Sequence, residues 1–426
     1  MDLNDMILIS IDDHIIEPPD LFEKHMAAKY RDRAPTLAKN PGGPDQWIFQ
    51  GEATGTAGLS AVVSLPKEEW GFDPTDISQM RPGCYDVAER VKDMDANGML
   101  AGMNFPTFMG FAGSHVAKAP DQELAAATIA AWNDWAIDEI AGEHPGRFLP
   151  MAILPHFDIE RSVAEIHRVA AKGCVAVSIP EAPYGIGLPS FASGHWDPVF
   201  AALLDTGMIP CMHIGGAFGL IKRPDDVPPL PDDIIILAPQ VMAVTTTDII
   251  LGGLLQRFPD LKFALSEGGI GWVSFFLDRL DRHVTNHAWT HLDKLPKGKT
   301  PTEMWREHFL ACFITDPSAL RLRDRVGVES LAWECDYPHS DCTWPYSPEL
   351  LHAELDAAGC SDEEIDMITW RNVSRFFDYD PFAAIPKEQA SVGALRARAA
   401  AAGVDTHETT KAEYSRRYRE GLVPAG

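Results

Sequence analysis

Eight short, almost continuously apolar runs recur along this chain of 426 residues, and helix-like segments separate most of them. Strands that are buried on both faces are apolar along their whole length, whereas half-exposed strands alternate. Eight such strands with intervening helices predict an α/β fold, a parallel (β/α)8 TIM barrel, more readily than an open doubly wound sheet. No GxGxxG follows an early strand to support a dinucleotide-binding open sheet. The runs cover residues 7–14, 100–107, 148–155, 174–180, 208–215, 262–268, 308–314 and 330–337.

The segments between the predicted strands suggest how the chain is organised. We expect a barrel domain over residues 1–382 and a C-terminal helical tail or arm over 383–426. Three connections, 35–85, 216–240 and 286–305, are too long for simple barrel loops. Long loops in compact domains tend to be lids or binding segments, so these three are predicted to lie over the barrel mouth.

Composition limits the partners of the chain. With 36 Lys and Arg against 62 Asp and Glu, the net charge of −26 disfavours nucleic acid and anionic membranes. The seven cysteines include no CxxC pair, and several lie in apolar runs, as buried thiols in a reducing compartment do. We see no signal peptide and no apolar run of about 18 residues. These features predict a cytoplasmic protein with a small-molecule partner.

Metal-ligand side chains lie at the ends of three predicted strands. Asp12 and His14 project from the same face at the carboxyl end of the first strand, where such barrels place their active sites. His213 ends the fifth strand and Asp336 ends the eighth. A buried carboxylate costs several kcal/mol unless it is paired or bound to metal. Each residue alone is ambiguous, but together they predict one divalent ion, zinc in the first place and manganese as the alternative.

Several motifs carry a family resemblance. They are ISIDDHIIEP, RPGCYDVAERVKDMDANGMLAGMNFPT, WDPVFAALLDTGMIPCMHIGG, SEGGIGWV, ECDYPHSDCTWP and RNVSRFFDYD. Through them, residues 7–380 resemble the amidohydrolase superfamily, in the amidohydrolase-2 branch that includes aminocarboxymuconate semialdehyde decarboxylase and the resorcylate decarboxylases. The resemblance implies a TIM-barrel metal-dependent hydrolase with its ion on the four residues above. It also implies a homodimer or a higher homo-oligomer.

The chain departs from the family pattern in two places. The first-strand motif is DxH, where members often have HxH or ExH. Glu267 stands where the decarboxylases commonly have a histidine at the sixth strand. Glu267 is therefore interpreted as a general base, a further metal ligand, or a structural carboxylate that caps the next helix. His339 is a second candidate acid or base, or a hydrogen-bond partner that holds Asp336.

Other residues are weaker candidates. Glu17 is predicted either to orient His14 or a lid residue from outside the ligand set, or to have only a structural role. Trp70, Phe218 and Trp344 could line an aromatic or apolar substrate pocket, or only pack the insertions. Arg223 could meet a substrate carboxylate, or be a solvated loop charge.

The ligand set is compatible with more than one reaction. The favoured hypothesis is a metal-dependent hydrolase that uses a metal-activated water on an amide, an ester or an activated C–C bond of a small aromatic or carboxylated substrate. The alternative is non-oxidative decarboxylation of an aromatic or muconate-type acid on the same ligands. Glu267 favours hydrolysis over this alternative. A non-catalytic barrel that only binds a ligand is the third hypothesis, and it predicts no bound metal.

Overall fold

The computed structural model describes residues 1–71, 76–216, 235–287, 289–290 and 294–424. These residues contain eleven strands, of which eight are the buried strands of the barrel and three belong to the first insertion. The strands are β1 (Ile9–Ile15), β2 (Thr36–Ala38), β3 (Gln46–Phe49), β4 (Glu52–Thr56), β5 (Ala101–Pro106), β6 (Met151–Ile153), β7 (Ala176–Ser178), β8 (Ile209–His213), β9 (Phe263–Ser266), β10 (Phe309–Phe313) and β11 (Leu331–Trp333).

The eight apolar strands run parallel and close on themselves. β1 pairs with β5, and β6 to β11 pair in chain order. A bridge between Gly102 and Phe148 joins β5 to β6. The ring closes where the segment after β11 meets β1, because the amide of Asp336 donates to the Asp12 carbonyl at 2.9 Å and the His14 amide donates to the Tyr337 carbonyl at 2.6 Å. The predicted (β/α)8 barrel is confirmed.

Helices fill the connections between the strands. Aspartates at residues 86, 121 and 158 cap three of them by accepting the backbone N–H three residues later. None of the helices in the described ranges has the length and apolar character of a membrane span. The α-helices are Leu21–His25, Val87–Asn97, Ser114–Ala117, Gln122–Trp135, Ile159–Ala170, Asp197–Thr206, Pro239–Leu251, Leu254–Arg257, Gly271–Asn286, Pro301–His308, Pro317–Leu320, Arg323–Val326, Ser347–Ala357, Asp362–Asp366, Asn372–Phe376, Val392–Ala401 and Lys411–Arg419.

A β-bulge divides β1 into two registers. Ser10 pairs with Gly102 and Asp13 pairs with Asn104, so β1 has one residue more than β5 between these pairs. Up to Ile11, which lies in the bulge itself, the odd-numbered Ile9 and Ile11 pack in the core cluster inside the barrel. After it, the even-numbered Asp12 and His14 turn toward the barrel axis. Bulges commonly redirect side chains next to active sites, and this one aims both residues at the same point.

The first insertion and the C-terminal segment pack together on the barrel. Within 35–85, β2, β3 and β4 form an antiparallel sheet that the sequence did not predict. The helix Val392–Ala401 packs against Val87–Asn97. Tyr414, in the last helix, packs in a small buried cluster with Val62 and Leu65 of the insertion. Residues 383–424 therefore pack on their own chain.

Candidate metal centre

Four side chains from two strands and one loop converge at the carboxyl end of the barrel. Asp12, His14, His213 and Glu267 each offer a ligand atom within 4.8 Å of the others. His213 Nε2 lies 3.4 Å from Asp12 Oδ2, 3.0 Å from Glu267 Oε2 and 3.2 Å from His14 Nε2. The aspartate and both imidazoles are buried, whereas the Glu267 side chain is 23% exposed. Glu267 is therefore the member of this group that faces the mouth.

Asp336 and His339 complete the group from the segment after β11. Asp336 Oδ1 lies 3.3 Å from His14 Nε2, and His339 Nδ1 lies 2.9 Å from the same carboxylate oxygen. The rings of His339 and His14 stack at a centroid distance of 3.9 Å. All four predicted ligands thus meet at one place. His339 contacts Asp336 directly, as the sequence interpretation allowed.

The donor atoms fit a cation. His213 Nδ1 lies 2.5 Å from the Ile214 carbonyl, which can only accept, so Nδ1 carries the proton and Nε2 keeps its lone pair. That lone pair points at His14 Nε2, an arrangement that needs a proton or a metal ion between the rings. Both carboxylate oxygens of Asp12 and of Asp336 are buried, and within the described residues their polar neighbours are histidine ring nitrogens rather than ordinary hydrogen-bond donors. Buried polar atoms are otherwise almost always paired, so these four oxygens mark a place for a positive ion.

The electrostatics of the group lead to the same conclusion. Burial raises the pKa of Asp12 well above its ordinary value, and the nearby carboxylates Glu334 and Glu267 raise it further. In the described part of the chain, the ion-pair partners of Asp12 and Asp336 are histidines. Burial also lowers the pKa of His14 well below its ordinary value, which keeps the ring neutral and able to coordinate. The residues therefore fit a divalent ion with mixed nitrogen and oxygen ligands.

Two residues of the centre have left-handed backbone conformations. Glu267 has φ of 54° and Asp336 has φ of 58°, and neither is glycine. Such conformations are uncommon for residues with a side chain, and they cluster at functional sites. Each of these residues donates its backbone N–H to a residue on another strand segment. Glu267, after β9, donates to Glu334 Oε2, after β11, at 3.0 Å, and Asp336 donates to the carbonyl of Asp12 in β1 at 2.9 Å.

Glu334 and Cys312 lie beside the predicted ligands, and the sequence analysis did not select them. Both are buried, and with Asp12 they form a second group of three possible ligand atoms. The Cys312 thiol donates a hydrogen bond to Glu334 Oε2. Burial raises the pKa of Glu334 to about 8. A sequence signal existed, since Glu334 precedes Asp336 by two residues and so shares its face.

Phe111 is a further residue that the sequence analysis missed. Its ring is 4.0 Å from the His213 ring and 5.2 Å from the His14 ring, measured between centroids. Ser178 Oγ donates to the Phe111 carbonyl at 2.5 Å and fixes the loop that carries it. The partly buried ring gives the centre an aromatic wall next to both histidines.

A buried arginine supports the first-strand motif from outside the barrel. Arg90 donates to the His14 carbonyl at 2.5 Å, to Asn104 Oδ1 at 2.9 Å and to the Gly83 carbonyl at 2.6 Å. Asp13 points away from the ligands, as alternation predicts, and accepts the Tyr337 amide at 3.1 Å. The backbone on both sides of the centre is therefore held by buried polar contacts.

The contacts of Glu17 correspond to the structural role that the sequence analysis left open. Its carboxylate accepts the amides of Thr107 and Phe108 at 3.1 and 2.8 Å and the Trp132 indole N–H at 3.1 Å. Burial raises its pKa to about 7, although these three donors favour the ionised form. The carboxylate thus fixes the loop after β5, and no contact with His14 is found among the described residues.

The two predicted substrate residues that the structure describes, Trp344 and Trp70, do not contact the centre. Trp344 is buried, donates its indole N–H to the Asp93 carbonyl and packs under Arg81, so its contacts place it behind the site. Trp70 is 37% exposed and donates to the Leu65 carbonyl within the first insertion. Phe218 and Arg223 lie outside the described residues.

Comparison with known proteins gives many similar solved structures, of which three illustrate the range. An amidohydrolase, map2389c, from Mycobacterium avium subsp. paratuberculosis K-10 has 22% identity and a TM-score of 0.65, over 87% of this chain and 99% of that one. The 2,6-dihydroxybenzoate decarboxylase from Rhizobium has 17% identity and a TM-score of 0.55, over 88% and 99%. A dihydroxybenzoic acid decarboxylase from Polaromonas sp. JS666 was solved with manganese and the inhibitor 2-nitroresorcinol. It has 16% identity and a TM-score of 0.57, over 88% of this chain and 97% of that one.

Sequence comparison identifies the family. No curated protein matches the chain. The family model described as Amidohydrolase matches residues 26–379, which include His213, Glu267 and Asp336 but begin after the Asp12–His14 motif. The predicted resemblance is therefore confirmed. Since the match spans most of its length, this chain belongs to the amidohydrolase family.

Proposed function

We propose that this chain is a metal-dependent hydrolase that cleaves an ester or amide bond in a small organic substrate with an aromatic or apolar part, with Glu267 as the general base. The observation that carries the proposal is the position of Glu267. Its carboxylate lies 3.0 Å from a predicted ligand atom of His213, and it is the part of the ligand group that reaches toward solvent. A base must be within reach of both the nucleophile and the substrate, and this position allows both.

The predicted ligands and the residues beside them have different roles in the proposed reaction. A divalent ion held by Asp12, His14, His213 and Asp336 supplies Lewis acidity, which polarises a substrate oxygen and lowers the pKa of water. Glu267 accepts the proton from the attacking water and returns it to the leaving group. His339 holds Asp336 through Nδ1, which leaves its Nε2 free to hold or release a second proton.

Phe111 suggests the character of the substrate. Its ring beside His213 and His14 provides an apolar surface against which an aromatic or aliphatic group can pack. An acyl compound with one such group and no negative charge next to the scissile bond fits this environment.

Decarboxylation of an aromatic acid is the second candidate. The similarity to solved dihydroxybenzoate decarboxylases, one of them solved with manganese, supports it. Glu267 argues against it, because a carboxylate substrate would sit near a third carboxylate of the centre. Two like charges about 4 Å apart repel by about 1 kcal/mol in water and about 4 kcal/mol at the effective dielectric near a protein surface. A neutral substrate avoids this repulsion.

The test compares both reactions on one metal-loaded preparation. Neutral aryl esters, anilides and lactones are assayed for hydrolysis, and 2,6-dihydroxybenzoate is assayed for release of CO2. We expect hydrolysis by the native protein and a loss of about 100-fold or more in Glu267→Gln, with metal content retained. Asp341→Asn is the matched control, since it removes an acidic charge near Glu267 and Asp336 without removing the base. Release of CO2 that Glu267→Gln leaves intact would show that the enzyme is a decarboxylase.

The remaining properties are proposals with simple measurements. The ligand set suits both zinc and manganese, and elemental analysis of the purified protein distinguishes them. We also propose a homodimer or higher homo-oligomer, which light scattering tests, and a cytoplasmic location, which fractionation tests.

A further inference from the structure

Glu334 is a buried carboxylate that the proposed mechanism does not use. It follows β11, two residues before Asp336, and its side chain points into the barrel beneath the metal ligands. Its Oε2 atom accepts two hydrogen bonds. One comes from the backbone N–H of Glu267 at 3.0 Å, and the other comes from the thiol of Cys312 on the intervening strand β10.

The hydrogen bond from the Glu267 backbone N–H restrains a residue with an unusual backbone conformation. Glu267 directly follows β9, and its φ of 54° is a left-handed conformation that is strained for a residue with a side chain. In that conformation the Glu267 carboxylate turns toward His213 Nε2. An extended backbone at this position would continue β9 and carry the carboxylate away from His213.

The contact spans two strands. Glu267 follows β9 and Glu334 follows β11, so the hydrogen bond crosses the end of β10. Neighbouring parallel strands are joined by backbone hydrogen bonds, but these do not restrain a residue that has left the strand. A side-chain acceptor from the second strand along does restrain it. Cys312 keeps the acceptor in place by donating to the same oxygen.

We propose that Glu334 is a positioning residue that sets the conformation of Glu267 by accepting its backbone N–H, and thereby aims the Glu267 carboxylate at the metal centre. The catalytic consequence rests on the proposed role of Glu267 as the base. The claim that Glu334 sets the backbone conformation of Glu267 does not depend on that role. A competing interpretation is a second cation between Asp12, Cys312 and Glu334, whose ligand atoms also lie close together.

The experiment uses the metal-loaded full chain and two substitutions of one residue. Glu334→Leu removes the acceptor, whereas Glu334→Gln keeps an amide oxygen that can accept the same N–H. Hydrogen–deuterium exchange of the Glu267 amide reads the contact directly and does not depend on any reaction. We expect exchange to be roughly tenfold faster or more in Glu334→Leu and close to native in Glu334→Gln, since one buried hydrogen bond is lost only in the first.

Kinetics on the substrate of the native enzyme then test the consequence. Glu334→Leu should lower kcat by roughly tenfold or more with little change in KM, and Glu334→Gln should restore most of it. The double variant Glu267→Gln/Glu334→Leu should be no slower than Glu267→Gln alone, because a positioning residue has no effect once its target is removed. Cys312→Ala removes the second donor to Glu334 Oε2 and should lower kcat less than Glu334→Leu does, because the acceptor itself remains.

Three results would overturn the proposal. They are unchanged exchange of the Glu267 amide in folded Glu334→Leu, additive losses in the double variant, and a fall in metal content from two ions to one. The last result would establish the second cation. Failure of the hydrolysis proposal is a separate outcome, because activity that survives Glu267→Gln leaves the exchange result to decide on Glu334.

Discussion

Removal of the metal ion should destabilise this protein by an amount that depends on the free-metal concentration. Asp12 and Asp336 place four buried carboxylate oxygens around two facing histidine nitrogens, and among the described residues only histidine rings lie near enough to pair with them. The folded chain therefore binds a divalent ion far better than the unfolded chain does. A ligand of the folded state stabilises it by RT ln(1 + [L]/Kd), which is about 1.4 kcal/mol for each tenfold rise in free ion above Kd.

The size of the chain converts this free energy into a temperature. Unfolding entropy is about 2.1 cal/mol/K per residue, so 426 residues give about 0.9 kcal/mol/K. One bound ion should then raise the Tm by roughly 1.5 °C per tenfold rise in free metal, and two bound ions by roughly twice that. A thousandfold range should span roughly 4 to 5 °C for one ion.

The assay is thermal unfolding in metal-ion buffers that fix free Mn²⁺ or Zn²⁺ over several decades. The Tm of Asp336→Asn and of His213→Ala should change much less with free metal concentration, because each variant lacks a predicted ligand. The Tm of Asp341→Asn should change with free metal as the native Tm does. A native Tm that does not change with free metal, or a His213→Ala slope equal to the native slope, would refute the assignment of the centre.

Three further substitutions test individual contacts. Burial lowers the pKa of His156 from 6.5 to about 4, so only the unfolded chain gains its proton between these values. The free energy of unfolding should therefore fall by up to about 3 kcal/mol as the pH drops from 6.5 to 4. Urea titrations should show a shallower fall in His156→Asn, and equal slopes would contradict the idea. Glu17→Gln replaces one of the two acceptor oxygens with an amide N–H₂ that faces at least one N–H donor, and it should cost about 1–3 kcal/mol in urea unfolding, so a change below about 0.5 kcal/mol would argue against that role. In Gly102→Ala the new Cβ would lie 2.4 Å from Asp13 Oδ2, and the displaced carboxylate would lose the Tyr337 amide. We expect a loss of about 1–3 kcal/mol and weaker metal binding, whereas the control Gly71→Ala, whose Cβ meets no neighbour, should behave as the native protein does.

The sequence predicted the barrel because each strand carries its own signal. A strand buried on both faces has to be apolar along its length, so the eight runs could be recognised one at a time. The antiparallel sheet β2–β4 has no such signal, since its strands are short and half-exposed. Strand pairing in an insertion depends on what the insertion packs against, and one sequence does not contain that information.

The site was predictable to the extent that its residues end strands. Asp12, His14, His213 and Asp336 meet because parallel strands bring their carboxyl ends to one rim. Glu334 could have been selected by the same alternation that selected Asp336. Phe111 could not, because it lies on a loop whose path is set by the Ser178 hydrogen bond. Trp344 failed as a substrate residue because its position on a mouth loop does not tell which side of the loop it faces.

The bulge in β1 has a consequence for redesign of this barrel. Since Ile9 and Ile11 belong to one register and Asp12 and His14 to the other, the strand separates the residues that fill the barrel from those that hold the ion. Ligand substitutions such as Asp12→Glu or Asp12→His change the second register without altering packing in the first. Deleting Ile11 would restore regular alternation, leave Asp12 and His14 facing the axis, and remove one side chain from the core beneath them. Because of the extra residue, the metal preference of β1 can be changed at Asp12 while the packing of Ile9 and Ile11 in the barrel core stays the same.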